Sequence, residues 1–332
     1  MIEVFMNKPI MRPHLSPVLT GLYSLEKQGK IKMKAIDRTN DFQPLCLELL
    51  INEKRVCIDV NDGYNNLEWI KKNIHRFDFY FKRSYSEKIN KKYGFNMIPY
   101  ELNYETYSEN VKSSTNYNKK KKIKKLLLNL LCIKDSSQTK VEDIHSDDIS
   151  VNENPKICFY TRLWDKEDIL NNNRISIIRQ LKHKYGDNFY GGVYNSELSR
   201  KLCPDLIVNK FTTIKSKYLK TMTKCDICIA TTGLHNSIGW KFAEYVIASK
   251  AIVSEKLNYL VPGLKESKNY LEFNDVDDCI QKVDYLVNNR QKILEMMYNN
   301  NKYYKKYLKP EVQVMNMINH VMDNKEKMSE IH

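Results

Sequence analysis

A lysine and a glutamate stand three residues apart at the start of a predicted helix. Lys241 and Glu244 follow an apolar, strand-like run that ends at Ala230 and a loop that contains Gly233. The unpaired amides of a helix N-terminus favour a phosphate, and residues three apart share one helix face. A cation beside a diphosphate and a carboxylate beside ribose hydroxyls would suit a nucleotide sugar. An exposed Lys–Glu pair on an ordinary amphipathic helix has the same spacing, so spacing alone leaves both interpretations open.

The elements around this loop alternate between short apolar strands and helices. In the second half of the chain, strands are predicted at residues 156–161, 188–191, 206–209, 226–230, 251–254 and 270–273. Helices are predicted between and after them, and the first half alternates in a similar way. This alternation indicates α/β structure with mostly parallel sheets, in which ligands bind at the carboxyl ends of the strands.

The length of 332 residues favours two domains, because domains usually contain about 100–200 residues. Residues 112–154 interrupt the alternation with a loop-like stretch, a basic run and a polar, acidic stretch. We therefore place an N-terminal domain at residues 1–152 and a C-terminal domain at residues 153–332.

The run from residue 239 to residue 254 resembles the donor-site segment of bacterial GT-B glycosyltransferases. That segment typically has a lysine, two residues, a glutamate, a helix end of small residues and then Lys/Arg-Pro/Ala-Ile-Val. This chain has Lys241, Glu244 and the run Lys250-Ala251-Ile252-Val253. Residues 270–275 and the helix after them are similar to the next part of the family's fold. The resemblance covers about residues 156–310, and it departs from the family at Ala251, often a proline, and in a glycine-poor loop before the helix.

The resemblance implies two Rossmann-like, doubly wound α/β domains that face a cleft. The first would bind the acceptor and the second the nucleotide-sugar donor, and the last helix would pack back on the first domain. It also implies that Lys241 contacts the donor diphosphate and Glu244 the ribose. The implied activity is metal-independent transfer of a sugar to a glycan or lipid-linked acceptor, in surface polysaccharide or glycoconjugate biosynthesis, with no cofactor.

Two further residues of the second half would lie in the same crevice. Arg162 follows the strand at residues 156–161, where its guanidinium could bind phosphate oxygens with paired hydrogen bonds. A surface ion pair is the alternative for Arg162. His235, in the loop beside Gly233, could contact the sugar or a phosphate, or it could simply be a polar surface residue.

The first half should supply the base that deprotonates the acceptor hydroxyl. His14 lies in the loop after the first strand, and Asp62 ends a later strand just before Gly63. Either residue could be the base of an inverting enzyme, although Asp62 equally suits a turn. Arg83, at another strand end, could hold an anionic acceptor or the donor phosphate.

No metal site is expected from the sequence. Asp275 and Asp277 have the spacing of an Asp-x-Asp metal motif, but Asp275 precedes helix-like sequence, where capping explains it better. Cys225 and Cys228 have CxxC spacing without a second pair, so we interpret the eight cysteines as reduced structural thiols.

The formal net charge of +14 favours anionic partners. Its densest part is the segment Lys119–Leu131, a lysine run followed by leucines, which could dock on an anionic membrane surface. A solvated charge run before a core helix is the alternative. With no signal peptide or membrane-spanning run in the sequence, we expect a cytoplasmic protein, peripheral at the inner face of the cell membrane.

Two other functional classes remain open. The charge would suit a nucleic-acid-binding protein, although no RNP, zinc-finger or helix-turn-helix motif occurs and no nucleic-acid partner is expected. A catalytically silent scaffold with the same fold is the other alternative, because a fold does not determine an activity.

Overall fold

A computed structural model describes most of the chain. The described residues are 2–7, 13–36, 43, 45–107 and 140–329. The segment Lys119–Leu131, for which membrane docking was predicted, lies outside them. Within the described part of the chain, no helix combines the length and the apolar character that a bilayer crossing requires.

The first sheet has six strands in the order β2-β1-β3-β4-β5-β6. The strands are β1 (Ile2–Asn7), β2 (Ile31–Ile36), β3 (Cys46–Ile51), β4 (Lys54–Asp59), β5 (Phe79–Lys82) and β6 (Met97–Pro99). The helices of this half are α1 (Ser16–Lys27), α2 (Leu67–Asn73) and α3 (Glu87–Tyr93).

Strand β3 runs against its neighbours, whereas β1–β2, β4–β5 and β5–β6 are parallel pairs. A tight hairpin joins β3 to β4 through Asn52 and Glu53, whose φ angles are 45° and 67°. Positive φ at both turn residues matches the twist of paired strands, so the chain reverses there without splaying them. The first sheet is therefore mixed, with a parallel core on either side of the hairpin.

The second sheet has five strands, all parallel, in the order β11-β10-β9-β7-β8. They are β7 (Ile157–Thr161), β8 (Phe189–Val193), β9 (Ile227–Ala230), β10 (Ala251–Glu255) and β11 (Leu271–Phe273). The helices are α4 (Asp168–Tyr185), α5 (Glu197–Leu202), α6 (Lys215–Met222), α7 (Trp240–Ile247), α8 (Val276–Val287), α9 (Arg290–Tyr303) and α10 (Pro310–Ser329). The expected fold class, two α/β units with parallel-strand cores, is confirmed.

The expectation of a strand at residues 206–209 was wrong. Pro204 starts a short 3-10 turn there, and only Ile207 pairs with the sheet, through a single bridge to Val193. A proline has no amide hydrogen to donate to a strand ladder, which favours the turn over a longer strand.

The last helix, α10, packs against α1 beside the first sheet. Gly21 of α1 makes this approach possible, because a Cβ atom there would lie 2.2 Å from the carbonyl oxygen of Pro310. Val314 and Ile318 of α10 are fully buried in the same apolar cluster as Leu22 of α1. The domain boundary at residues 152 and 153 stays a prediction.

Candidate functional site

A cavity of about 200 Å³ opens at the carboxyl ends of β7 and β9. Strand β7 is an interior strand of its sheet: the next strand of the chain, β8, lies on one side of it, and β9 lies on the other. The connections from β7 and from β8 therefore leave the sheet in opposite directions. In open parallel sheets, this switch point forms a crevice beyond the strand ends, where ligands bind.

The start of α7 forms one wall of the cavity. Gly239 is the extended residue before the helix, and Trp240 and Lys241 form its first turn. No side chain accepts a hydrogen bond at this N-cap. The first amides of α7 are thus available to an anion.

The loop before α7 is compact. The amide of Gly233 donates to the carbonyl of Ser237 at 2.8 Å, while His235 and Asn236 both have left-handed φ angles near 56°. A Cβ atom at position 233 would lie 3.0 Å from the Ser237 hydroxyl, so the glycine suits the tight loop. Gly233 and Asn236 line the cavity.

Lys241 places a partly buried ammonium group at the cavity wall. Its Nζ lies 4.9 Å from the ring centre of Tyr194 and 5.4 Å from that of Tyr218. It makes no ion pair with any of the residues that the structure describes. Burial, together with the cations of Lys215 and Arg162, lowers the pKa of Lys241 to about 8 against the opposing effect of Glu244.

Arg162 lies near the same tyrosine ring, that of Tyr194. Its guanidinium is exposed and lies 5.3 Å from the centre of that ring. Arg162 also borders a second cavity of about 570 Å³, whose wall includes Ser196 and Lys210. The sequence predicts Arg162 and Lys241 in one crevice, and in the structure both cations lie near the Tyr194 ring.

Glu244 lies behind the cavity. It is only 1% exposed, and one of its carboxylate oxygens accepts a hydrogen bond from Lys215. Its other oxygen is buried with no hydrogen-bond partner in the described part of the protein. The Lys–Glu spacing thus brings Lys241 to the cavity wall, while Glu244 pairs with a lysine of α6.

Two residues that the sequence analysis missed hold the strand-end loops in place. Arg174 of α4 is buried and donates to the carbonyl oxygens of Arg162 (2.6 Å) and Thr232 (2.7 Å) and to the hydroxyl of Thr231. Burial lowers the pKa of Arg174 to about 10. Glu255, at the end of β10, accepts from both the amide and the hydroxyl of Thr232.

A signal for Arg174 was present in the sequence. It lies four residues before Ile178 and one residue before Ile175, on the apolar face of α4. A charged side chain on the buried face of a helix requires a polar partner. Nothing local in the sequence indicated that its partners would be the two loops after β7 and β9.

His14 approaches this site from the first half of the chain. Its ring makes an edge contact with the Trp240 indole at a centroid distance of 4.6 Å, and Trp240 lines the cavity. His14 itself lies behind that indole and is not among the residues that line the cavity.

Asp62 and Arg83 lie at a contact between the two sheets' loops. Arg83 donates to the Asp62 carboxylate at 2.6 Å and to the Ile238 carbonyl, just before α7, at 2.5 Å. His235 packs beside Gly63, where a Cβ atom would lie 2.9 Å from that of His235. The structure therefore places Asp62 and His235 at an inter-sheet contact next to the cavity.

No cluster of three or more histidine, cysteine, aspartate or glutamate side chains is arranged to hold a metal ion in the described residues. Asp275 caps α8, as expected, by accepting from the amide of Asp278 at 2.8 Å. The seven described cysteines are buried and free.

Comparisons with known proteins find structural likeness alone. No protein-family model matches the chain, and neither does any curated protein sequence. Three solved structures are similar over much of their length. One is a co-structure of S. aureus MnaA with UDP (10% identity, 98% of this chain and 97% of that one, TM-score 0.46). Another is a glycosyltransferase from Rickettsia africae ESF-5 (13% identity, 91% and 88%, TM-score 0.41). The third is the C-terminal domain of a glycosyl transferase group 1 family protein (LpcC) from Francisella tularensis (12% identity, 52% and 98%, TM-score 0.40). A likeness at this level does not identify an activity.

Proposed function

We propose that this chain is a nucleotide-sugar-dependent glycosyltransferase whose donor binds at the carboxyl ends of β7 and β9. The observation that carries the proposal is the position of Lys241. Its ammonium is partly buried, has no carboxylate partner among the described residues and faces a cavity at a helix N-terminus. A cation withdrawn from water in this way is stabilised by a bound anion.

A nucleoside diphosphate fits the arrangement of charges better than a single phosphate. Lys241 and Arg162 both lie near the Tyr194 ring, so two linked phosphates could each contact one cation. The α7 amides would bind one of them from the cavity side. The cavity of about 570 Å³ beside Arg162 offers room for the nucleoside.

The same charges would assist the reaction. Transfer of the sugar breaks the bond between its anomeric carbon and a diphosphate oxygen, and the bonding electrons stay on the leaving diphosphate. Positive groups already in place there stabilise the growing negative charge without reorganisation. Arg174 and Glu255 would act as positioning residues, because they hold the loops that carry Arg162 and Thr232.

The acceptor hydroxyl would attack from the side of the first sheet and lose its proton to a base. His14 is the better placed of the two candidates, because its ring touches Trp240 at the cavity wall. The carboxylate of Asp62 is already engaged in an ion pair with Arg83. We therefore assign the base to His14 and a positioning role to Asp62.

The acceptor in this proposal is a glycan or a lipid-linked sugar of surface polysaccharide or glycoconjugate biosynthesis. The chain would work in the cytoplasm, at the inner face of the membrane, with segment Lys119–Leu131 on the anionic lipid surface. These parts of the proposal rest on the family resemblance and on the basic, leucine-rich composition of that segment.

Thermal unfolding with a panel of UDP, GDP, CMP, dTDP and ADP tests the donor site, with and without EDTA. A nucleotide at about 100 times its Kd adds about 2.7 kcal/mol of stability, which shifts the melting temperature visibly. We expect one base to stabilise selectively, equally in EDTA, and the shift to vanish in Lys241→Ala. The matched control is Lys302→Ala, an exposed lysine of α9, which should keep the full shift. No shift with any nucleotide would remove the donor-site assignment.

An assay of sugar transfer distinguishes an active enzyme from a catalytically silent scaffold. With the sugar nucleotide of the selected base, release of the nucleoside diphosphate should depend on acceptor and fall strongly in His14→Ala, while nucleotide binding persists. Binding without turnover in the wild type would favour the scaffold. A steep salt dependence of binding to random DNA, without nucleotide stabilisation, would favour the nucleic-acid alternative.

A further inference from the structure

A groove of about 470 Å³, separate from the cavity beside Arg162, lies beside α6 and shares one residue with the cavity at the strand ends. Tyr160 of β7 lines both of them. The groove is bordered by Tyr190 of the edge strand β8, by Phe211 and by the lysine-bearing side of α6. The proposed donor site does not use this groove.

The charge of the groove is of one sign. Four of its lining residues are lysines and, in the described chain, none is acidic. Lys217, Lys220 and Lys224 are three and four residues apart, so they form one row along α6 and just beyond its end. Seven residues of helix span about 10 Å. Like charges at this spacing repel one another, and a bound polyanion would relieve that repulsion.

The groove also presents aromatic surface. Tyr160 is buried at its base, Tyr190 is half-buried, and Phe211 at its mouth is 63% exposed. A single exposed phenylalanine is ordinary on a protein surface, but here it adds to the aromatic lining that Tyr160 and Tyr190 already provide. Aromatic faces pack against the C–H faces of sugar rings, and lysine ammonium groups bind carboxylates and phosphates.

We propose that this groove binds an anionic oligosaccharide, a chain of sugar residues that carry carboxylate or phosphate groups. Its rings would lie on Tyr190 and Phe211, and its negative groups would contact the lysine row. The groove would thereby hold part of the glycan acceptor of the proposed transferase on the same half of the chain as the donor, while the reacting hydroxyl of that acceptor approaches from the side of the first sheet. That role rests on the proposed function, whereas the binding itself does not.

A nucleic acid fits the same groove less well. Sites for single strands follow the backbone over about four or more nucleotides with successive stacking platforms. A lysine row of about 10 Å is shorter than such a track. The absence of arginine among the described lining residues also removes the side chain that most often stacks on bases.

Binding of a defined probe tests the proposal. Fluorescently labelled hexagalacturonate, which has six sugar rings and six carboxylates, is titrated with the full chain at low salt. Neutral maltohexaose and a six-nucleotide oligo(dT) are titrated in parallel. We expect hexagalacturonate to bind most tightly, and Lys217→Glu/Lys220→Glu to weaken it at least about tenfold, because two attractive contacts become repulsive. Phe211→Ala should weaken it by a smaller factor.

The matched control is Lys27→Glu/Lys302→Glu, which changes the net charge equally at two exposed lysines outside the groove. It should bind the probe like the wild type. An equal loss in the control, or no binding by the wild type, would overturn the proposal, as would oligo(dT) binding that depends on the groove and exceeds that of hexagalacturonate. Far-UV circular dichroism of each variant confirms that it is folded.

The same variants separate this proposal from the proposed function. Lys217→Glu/Lys220→Glu should keep the nucleotide-dependent thermal shift, and Lys241→Ala should lose that shift while still binding hexagalacturonate. Glycan binding without any nucleotide shift would leave the groove assignment standing and remove the transferase. A nucleotide-dependent rise in melting temperature without glycan binding would leave the transferase proposal standing and remove the groove assignment.

Discussion

A lysine lies near the strand ends of each sheet, and the surroundings of the two lysines differ. Lys82 of β5 is fully buried and lies 3.3 Å from the carboxylate of Asp59, which is fully buried as well. Three more side chains, those of Asn61, Asn66 and Tyr80, donate hydrogen bonds to the same carboxylate. Lys241 of α7 lies over two tyrosine rings and has no carboxylate partner among the described residues.

The difference distinguishes a charge that is paired within the fold from a charge that is available to bind a ligand. Burial by itself would raise the pKa of Asp59, but Lys82 and the hydrogen bonds from Tyr80, Asn66 and Asn61 hold it below its ordinary value. The Asp59 carboxylate thus has its cation and its hydrogen-bond donors within the protein and needs no ligand. At Lys241, burial lowers the pKa to about 8 because no such network supports the charged form. A bound anion would supply the missing partner.

The comparison predicts the largest loss of stability at the satisfied pair. Lys82→Met should lower the free energy of unfolding by about 3–5 kcal/mol, because it leaves Asp59 buried without its cation. Urea unfolding measures the change. The control is Lys54→Met, which removes a partly exposed pair with Asp78 and should cost about 0–1 kcal/mol. Equal, small losses in both variants would contradict the distinction.

The guanidinium of Arg174 is hydrogen-bonded to the strand-end loops of the second sheet. Its replacement should cause the next largest loss of stability. Arg174→Met leaves the carbonyl oxygens of Arg162 and Thr232 without their donor, which should cost about 1–3 kcal/mol of unfolding free energy. Arg179→Met, on the same helix, removes only an exposed pair with Asp205 and should change stability by under about 1 kcal/mol. Chemical denaturation of both variants checks the difference.

Lys241→Ala should affect binding and not folding. Without ligand, its stability should match the wild type or slightly exceed it, because a partly buried charge is removed. The Kd of the stabilising nucleotide should rise at least about tenfold, or about 1.4 kcal/mol, by isothermal titration calorimetry. A large loss of ligand-free stability would mean that Lys241 belongs with Lys82 as a structural charge.

The smallest effect expected is a pH dependence of nucleotide affinity. The pKa of Lys241 is lowered to about 8, so the ammonium is charged below that pH and becomes neutral as the pH rises through it. Affinity should therefore decline between pH 7 and pH 9, by up to roughly tenfold if the neutral form binds weakly. Lys241→Arg should give a flatter profile over this range, because arginine stays protonated. Identical profiles for the two proteins would assign the decline to another group.

The sequence was most informative where local pattern decides the structure. The apolar runs at β7, β9 and β10 and the helix after Gly239 are predicted by composition and spacing, because a strand buried on both faces must be apolar. The hairpin between β3 and β4 was not predicted, although the short connection indicates it. Only Asn52 and Glu53 separate the two strands, whereas a parallel crossover needs about a dozen residues or more.

The partners of the charged residues could not be found in this way. Spacing placed Lys241 and Glu244 on one helix face, but α6 packs beside α7 and brings Lys215 to Glu244, 29 residues away in sequence. Arg83 reaches the Ile238 carbonyl across 155 residues. Such contacts depend on how helices and loops lie on their sheets, which no local pattern specifies.

By itself, the sequence determined the α/β alternation and the strand ends where polar residues gather, and it singled out Arg162 and Lys241 as candidate phosphate-binding cations. Tertiary structure alone decided which charges are paired: Lys82 with Asp59, Glu244 with Lys215, and Lys241 with no described carboxylate. The physical reason is that periodicity reports which side chains leave water, whereas electrostatic satisfaction depends on distances of 3–4 Å between residues far apart in the chain.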